Sequence, residues 1–133
     1  MPQSKKIGMT AGSWDFVHAG HVLHFEECKK HCDYLVVAMQ MDPSLSRREK
    51  HKPVMSLEER FIMLNACKYV DMVVLYNSEQ DLYKLDLWLP IDVRFMGEDH
   101  KSRKHHKINA KIVYTSRKHY YSSTNLRERC AVK

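Results

Sequence analysis

The sequence predicts an α/β fold in which one doubly wound, parallel, five-stranded sheet forms a single domain, residues 1–133. Strand-like and helix-like patterns alternate about five times, which favours parallel strands joined by right-handed helical crossovers. The second strand has an unbroken apolar centre, Leu35-Val36-Val37-Ala38, which is typical of a strand covered on both faces. A chain of 133 residues has room for one hydrophobic core.

The chain begins with a strand, a helix and a second strand. We expect the strands at residues 6–11 and 33–40. Between them, apolar residues recur at helical spacing and predict a helix over residues 21–32. The apolar positions of this helix are Val22, Phe25, Cys28 and Cys32.

A long polar loop, residues 42–53, follows the second strand. Loops of this length in compact domains often bind ligands. The next four-residue segment, Ser56-Leu57-Glu58-Glu59, has the pattern of a capping box, so a helix should begin after Ser56 and end near Cys67. Its predicted buried stripe consists of Leu57, Phe61 and Leu64.

The second half of the chain continues the alternation, with strands expected at residues 70–76, 91–96 and 110–114. Asn77-Ser78 can cap the helix between the first two of these strands, and Pro90 ends it. The inner stripe of this helix consists of Leu82, Leu85 and Leu89. A last helix is predicted at residues 123–129, which completes a Rossmann-like arrangement.

The composition favours an anionic ligand, because the chain carries a net charge of +6 and nine histidines. The basic residues concentrate in two loop-like segments, 47–52 and 101–107, and there is no RNA-binding signature, so we expect no nucleic-acid partner. No apolar run approaches the roughly 18 residues of a membrane span and no signal-peptide pattern is present, so we expect a cytoplasmic protein without a membrane partner. The four cysteines form no C-x-x-C pair and should be free thiols.

One stretch, residues 12–21, carries the chemistry: Gly-Ser-Trp-Asp-Phe-Val-His-Ala-Gly-His. It lies between the first strand and the first helix, and it places His18 and His21 three residues apart at the start of that helix. A helix N-terminus offers free backbone N–H groups and the positive end of the helix dipole. The stretch is therefore predicted to bind phosphate.

This stretch resembles the G-[ST]-[FW]-D-x-x-H-x-G-H signature of the small nucleotidyltransferases. Residues 117–124, Arg-Lys-His-Tyr-Tyr-Ser-Ser-Thr, resemble their second signature, R-T-x-G-I-S-T-T. The similarity spans nearly the whole chain, and the family that it resembles is glycerol-3-phosphate cytidylyltransferase.

The resemblance implies direct in-line attack of a small phosphorylated alcohol, glycerol 3-phosphate first, on the α-phosphate of CTP. The products would be a CDP-alcohol and pyrophosphate. The alternatives within the same fold are an adenylyltransferase, or a cytidylyltransferase for a phosphorylated sugar, aminoalcohol or flavin. The resemblance also implies magnesium bridged by the triphosphate, and a homodimer.

The resemblance assigns roles residue by residue. The catalytic residues would be His18, His21, Lys50 and Arg117. The nucleotide would also contact Ser13, Trp14, Lys52, Asp99, Ser122, Ser123 and Thr124. The acceptor would contact Asp15, Arg48, Lys50, Arg60 and Lys84.

The chain departs from the family pattern at a few positions. Tyr120 stands where the second signature has glycine, and Tyr121 stands at the following aliphatic position. Ser78 and Asp81 replace a tryptophan and a lysine of the glycerol-phosphate enzymes, which leaves the acceptor open.

Several residues also have structural interpretations. Asp15 can hydrogen-bond its own turn, and Trp14 can pack in the core. His24, Cys28 and Cys32 lie on one helical face, but without a fourth ligand at motif spacing packing is favoured over zinc. Outside this family, the alternatives are a nucleic-acid-binding domain, with steeply salt-dependent binding, and an inactive nucleotide-binding regulator.

Overall fold

The computed structural model describes residues 5–45, 52–97, 106–116 and 121–131. Within these ranges strands and helices alternate as the sequence predicts, with boundaries shifted by a few residues. The strands are β1 (Ile7–Gly12), β2 (Tyr34–Gln40), β3 (Met72–Tyr76), β4 (Val93–Gly97) and β5 (Lys111–Thr115). The helices are α1 (Ala19–Lys29), α2 (Leu57–Ala66), α3 (Glu79–Trp88) and α4 (Ser123–Ala131).

The five strands form one parallel sheet in the order β3-β2-β1-β4-β5, which confirms the predicted doubly wound α/β fold. β1 lies at the centre, and the chain winds away from it in both directions. The strand order reverses between β1 and β4. In open α/β sheets ligands bind outside the carboxyl ends of the strands at this point, where the loop before α1 begins.

Apolar side chains cover both faces of the sheet. One cluster includes Phe25 of α1 and Leu64 of α2, and the other includes Met9 of β1 and Leu82 of α3. Residues 35–39 of β2 have no solvent-exposed surface, as their unbroken apolar run predicts. The sheet is therefore a well-packed platform for the loops at its carboxyl edge.

Two helices begin with the predicted capping residues. The hydroxyl oxygen of Ser56 accepts from the Glu59 backbone N–H, and the Glu59 carboxylate accepts from the Ser56 N–H. Ser78 and Asp81 make the same reciprocal pair at the start of α3. These backbone hydrogen bonds lower the pKa of the Glu59 and Asp81 carboxyl groups. The two capping boxes fix the residues at which α2 and α3 begin.

Two predictions of the helix interiors are wrong. Phe61 is 43% exposed, because the inward face of α2 is formed by Leu57, Arg60 and Leu64 and Phe61 lies next to that face. The buried position that we assigned to a phenylalanine is held by an arginine. Val22 is 37% exposed, because α1 starts at Ala19 and turns Val22 outward.

No helix in the described ranges is long and apolar enough to cross a membrane.

Candidate active site

The loop between β1 and α1 has a strained backbone. Trp14 and Phe16 have φ angles of 55° and 50°, in the left-handed region that bulky residues avoid at a cost of about 1–3 kcal/mol each. The Trp14 indole N–H donates to the carbonyl oxygen of Ala38 at 2.9 Å and holds the ring in the core. Gly12 gives this ring room, since a Cβ there would lie 3.2 Å from it. The loop is thus anchored to the core just before α1 begins.

His18 and His21 together cap α1. The Nδ1 atom of His18 accepts from the Gly20 backbone N–H at 3.0 Å, and the Nδ1 atom of His21 accepts from the His18 N–H at 3.2 Å. The two rings stack with their centroids 4.0 Å apart. An imidazole nitrogen that accepts a hydrogen bond carries no proton, so the proton of each neutral ring lies on Nε2. The pair therefore places two Nε2–H donors at the positive end of the α1 dipole.

Trp14 packs against His21 of this pair and against His24. Its indole meets the His21 ring edge-on at a centroid distance of 5.4 Å and stacks on His24 at 5.9 Å. Trp14 is only 7% exposed, so in this structure it packs beneath the histidines. The core-packing interpretation describes its position, and the predicted contact of Trp14 with the nucleotide stays a prediction.

His24 belongs to a partly buried hydrogen-bond network that the sequence did not reveal. Its Nε2 atom lies 2.8 Å from the Thr10 hydroxyl, and its Nδ1 atom lies 3.1 Å from the Thr115 hydroxyl. Thr115 also donates to the carbonyl oxygen of Met96, so a consistent assignment places the His24 proton on Nδ1. The network ties α1 to β1 and β5 directly beneath the site. Its only sequence signal was the helical spacing of His24 after His21.

Asp15 does not hydrogen-bond its own turn. The two carboxylate oxygens accept from the backbone N–H groups of Val54 and Met55, at 2.9 Å each. One of these oxygens also lies 3.3 Å from a guanidinium nitrogen of Arg127 on α4. Asp15 is 8% exposed and links three segments of the chain. The predicted contact of Asp15 with the acceptor stays a prediction.

Arg60 is 2% exposed, and its guanidinium is committed to backbone carbonyls. It donates to Ser13 and Gln40 at 2.8 and 2.7 Å, to Met41 at 2.7 Å and to Met55 at 3.2 Å. Burial lowers the pKa of this group, and the carboxylates of Asp15 and Asp42 act in the opposite direction. Four of its five N–H donors hold loops together around the site. The predicted contact of Arg60 with the acceptor stays a prediction.

A pocket of about 400 Å³ lies where β2 and β3 end, beside the loop between β1 and α1. Its polar lining comes from Asp42, Lys52, Ser56, Arg60 and Asn77. The rest of the lining is apolar and includes Met41, Leu45 and Met55. The pocket is therefore a mixed surface that offers both cationic and hydrogen-bonding groups beside the strained loop.

The remaining predicted site residues fall in different places. Ser122 caps α4 by accepting from the Asn125 N–H at 2.9 Å, and Ser123 donates to the backbone oxygen of Asp15 at 3.3 Å. Thr124 is exposed beside them. Lys84 is exposed on α3 next to the Trp88 ring and is not part of the pocket lining. Four residues, Arg48, Lys50, Asp99 and Arg117, lie outside the described ranges.

The side chains of this site fit phosphate oxygens better than a metal ion. In the part of the chain that the structure describes, no three His, Cys, Asp or Glu side chains gather as a metal site. The carboxylate of Asp15 already accepts from two backbone N–H groups and an arginine. The other polar groups of the site are imidazole rings, hydroxyls and helix N-termini, which are groups of the kind that bind anions.

Comparisons with known proteins agree with this geometry. The family model described as cytidylyltransferase-like matches residues 9–129. The bifunctional protein HldE of Gluconacetobacter diazotrophicus is 35% identical over 100 residues, which cover 74% of this chain and 20% of that protein. HldE of Campylobacter jejuni is also 35% identical, over 74% of this chain and 22% of that protein. The chain thus spans about a fifth of the length of these relatives.

Solved structures share the fold. A lipopolysaccharide core biosynthesis protein from Thermoplasma volcanium superposes with a TM-score of 0.70 and 24% identity, covering 88% of this chain and 99% of that one. A pantoate-beta-alanine ligase from Francisella tularensis, complexed with an ATP ligand and beta-alanine, has a TM-score of 0.59 and 16% identity. That match covers 96% of this chain and 67% of the ligase.

Proposed function

The chain belongs to the cytidylyltransferase-like family of nucleotidyltransferases, and we propose that it joins a nucleoside triphosphate to a small phosphorylated sugar or alcohol. The observation that carries this proposal is the histidine pair at the start of α1. Both Nδ1 atoms accept from the helix backbone, so both rings are held as Nε2–H donors beside a helix N-terminus.

In the proposed reaction, an oxygen of the acceptor phosphate attacks the α-phosphorus of the nucleoside triphosphate. A bond forms between them as the bond to the β-phosphate oxygen breaks, and pyrophosphate leaves with the electron pair. The attacking phosphate is already an anion near neutral pH, so no strong general base is needed. The barrier lies in bringing anions together and in the charge of the transition state, which fixed donors can stabilise.

His18 and His21 would supply these donors to the phosphate oxygens. Their orientation is set before the ligand arrives, because each Nδ1 atom is part of the helix cap. Donors that need no reorientation during the reaction are the most effective electrostatic catalysts. Trp14 adds rigidity by packing against the ring of His21.

We assign the acceptor to the pocket beside the loop. Lys52 and Arg60 place positive charge in its lining, while Asp42, Ser56 and Asn77 offer groups that can hydrogen-bond hydroxyls. A compound with a phosphate and several hydroxyls suits such a lining. The proposed triphosphate position, at the start of α1 and α4, leaves this pocket open for the second substrate.

The choice of substrate pair is a separate question. The sequence signature led us to expect CTP and glycerol 3-phosphate. The similarity to HldE proteins, at 35% identity, favours a sugar phosphate as acceptor and ATP as nucleotide. We therefore propose ATP with a sugar phosphate as the first pair to test and CTP with glycerol 3-phosphate as the second.

Magnesium remains a prediction, as does the homodimer. Since the described side chains form no metal site, we propose that the ion enters with the triphosphate and neutralises part of its charge. The protein groups then orient the phosphates.

The test is a panel assay of pyrophosphate release with magnesium present. ATP and CTP are each combined with sugar phosphates, glycerol 3-phosphate and other phosphorylated alcohols, and products are identified by mass spectrometry. We expect one pair to give a nucleoside-diphosphate product together with stoichiometric pyrophosphate. Nucleotide binding without turnover across the panel would support an inactive binding protein instead.

A further inference from the structure

Asp15 is hydrogen-bonded on two sides, to two segments that are far apart in sequence. On one side its carboxylate accepts from the backbone N–H groups of Val54 and Met55, at 2.9 Å each. On the other side it pairs with Arg127 of α4 at 3.3 Å, and its backbone oxygen accepts from Ser123 at 3.3 Å. One nearly buried residue thus connects residues 52–56 with α4.

A second connection runs parallel to the first through the neighbouring residue. The backbone N–H of Phe16 lies 3.2 Å from the Met55 sulfur, and the Arg127 guanidinium lies 5.2 Å from the centre of the Phe16 ring. Phe16 itself is held at a φ of 50°. The same two segments are therefore joined through both residues of this strained turn.

The two segments border different parts of the site. Lys52, Met55 and Ser56 line the proposed acceptor pocket. α4 begins at Ser123, at the end where a triphosphate is proposed to bind, and the helix buries none of its own residues. Because no residue of α4 is fully buried, the contacts of Arg127 and Ser123 with the loop help to hold the helix in place.

We propose that Asp15 is a positioning residue that couples the acceptor pocket to the nucleotide end of α4. A ligand that fixes α4 orients Arg127 and thereby the Asp15 carboxylate, which then holds Val54 and Met55 with less loss of freedom. By thermodynamic reciprocity, a ligand in the pocket strengthens nucleotide binding by the same factor. The identity of the two ligands rests on the proposed function, but the connection itself does not.

Coulomb attraction alone does not account for this coupling. The Arg127 side chain is 42% exposed, and exposed ion pairs contribute little because water screens them. The effect comes from sharing one carboxylate between two segments, so that ordering one segment orders the other.

The test uses Arg127→Gln, with Arg129→Gln on the same helix as the matched control. Both changes remove one exposed positive charge from α4, but within the described residues it is Arg127, not Arg129, that pairs with Asp15. Amide hydrogen exchange of Val54 and Met55 is measured in each protein without ligand. We expect exchange of these two amides to quicken by about two- to fivefold in Arg127→Gln and to match the wild type in Arg129→Gln.

A second measurement adds α,β-methylene analogues of ATP and CTP at saturation. We expect the better-binding analogue to slow exchange at Val54 and Met55 by at least about fivefold in the wild type and in Arg129→Gln, and by much less in Arg127→Gln.

The two measurements separate the two proposals. If neither analogue binds, the proposed function fails, and the ligand-free exchange still decides the connection. Equal ligand-free exchange in the two variants would overturn the inference. So would a bound analogue that leaves wild-type exchange at these amides unchanged, or that slows it equally in Arg127→Gln.

Discussion

Replacing the two histidines by residues that keep the helix cap separates their structural role from their catalytic role. In His18→Asn the new side-chain oxygen can accept from the Gly20 N–H, as the His18 Nδ1 atom does at 3.0 Å. In His21→Gln the side-chain oxygen can accept from the residue 18 N–H, which is the usual partner in a capping box. Both changes remove the Nε2–H donor.

The expected magnitudes differ by role. Loss of a cap to alanine costs about 0.5–2 kcal/mol of stability, whereas asparagine is among the best capping residues. Loss of a preorganised donor in the transition state costs about 2.7–4 kcal/mol, or a factor of about 100 to 1,000 in kcat. His18→Asn should therefore keep a free energy of unfolding within about 0.5 kcal/mol of the wild type. Its turnover should fall at least about a hundredfold.

The assay pairs urea unfolding with pyrophosphate release, on the substrate pair that the panel identifies. His18→Ala and His21→Ala are the matched controls, because each loses the cap and the donor together. They should be as slow as the asparagine and glutamine variants but less stable. If both capped variants kept more than about a tenth of wild-type turnover, the proposed donors would supply less than about 1.4 kcal/mol each, and the reasoning would be refuted.

Three further predictions follow from the buried groups. Arg60→Ala should destabilise the protein by about 3 kcal/mol or more in urea unfolding, because four backbone carbonyls lose a charged donor; a loss under about 1 kcal/mol would contradict this. Gly8→Ala should cost about 1–3 kcal/mol in the same assay, since its Cβ would lie 2.5 Å from the Phe95 ring; wild-type stability would show that the ring yields freely. Burial raises the pKa of the Cys28 thiol, so a thiol reagent followed by peptide mapping should label exposed Cys130 in the native protein and Cys28 only after unfolding; early labelling of Cys28 would show that α1 opens readily.

The sheet and the helix order could be predicted because each element carries its own local signal. The apolar run of β2 and the capping boxes at Ser56 and Ser78 depend only on neighbouring residues. Helix interiors were harder. Apolar spacing predicted that Phe61 is buried, but the buried residue is Arg60. The Arg60 guanidinium donates to four backbone carbonyls that come close to one another only in the folded chain.

The candidate site could be predicted only where its residues form a local motif. His18 and His21 were identified from their signature, but their role as caps was not, since histidine is an unusual capping residue. The partners of Asp15 lie 39 and 40 residues away in sequence, at Val54 and Met55, where no local pattern points to them. Long-range contacts of this kind follow from the packing of loops at the sheet edge.

The claim that the histidine pair holds the triphosphate is tested most directly by finding which nitrogen of each ring carries the proton. Long-range proton–nitrogen NMR on isotope-labelled protein near neutral pH measures this. In the structure the Nδ1 atoms of His18 and His21 both accept backbone hydrogen bonds, which predicts the ring proton on Nε2. We also expect the Nε2 signals of both rings to shift when an α,β-methylene nucleotide binds. Rings protonated on Nδ1, or Nε2 signals that do not respond to a bound nucleotide, would contradict the claim that this pair holds the triphosphate.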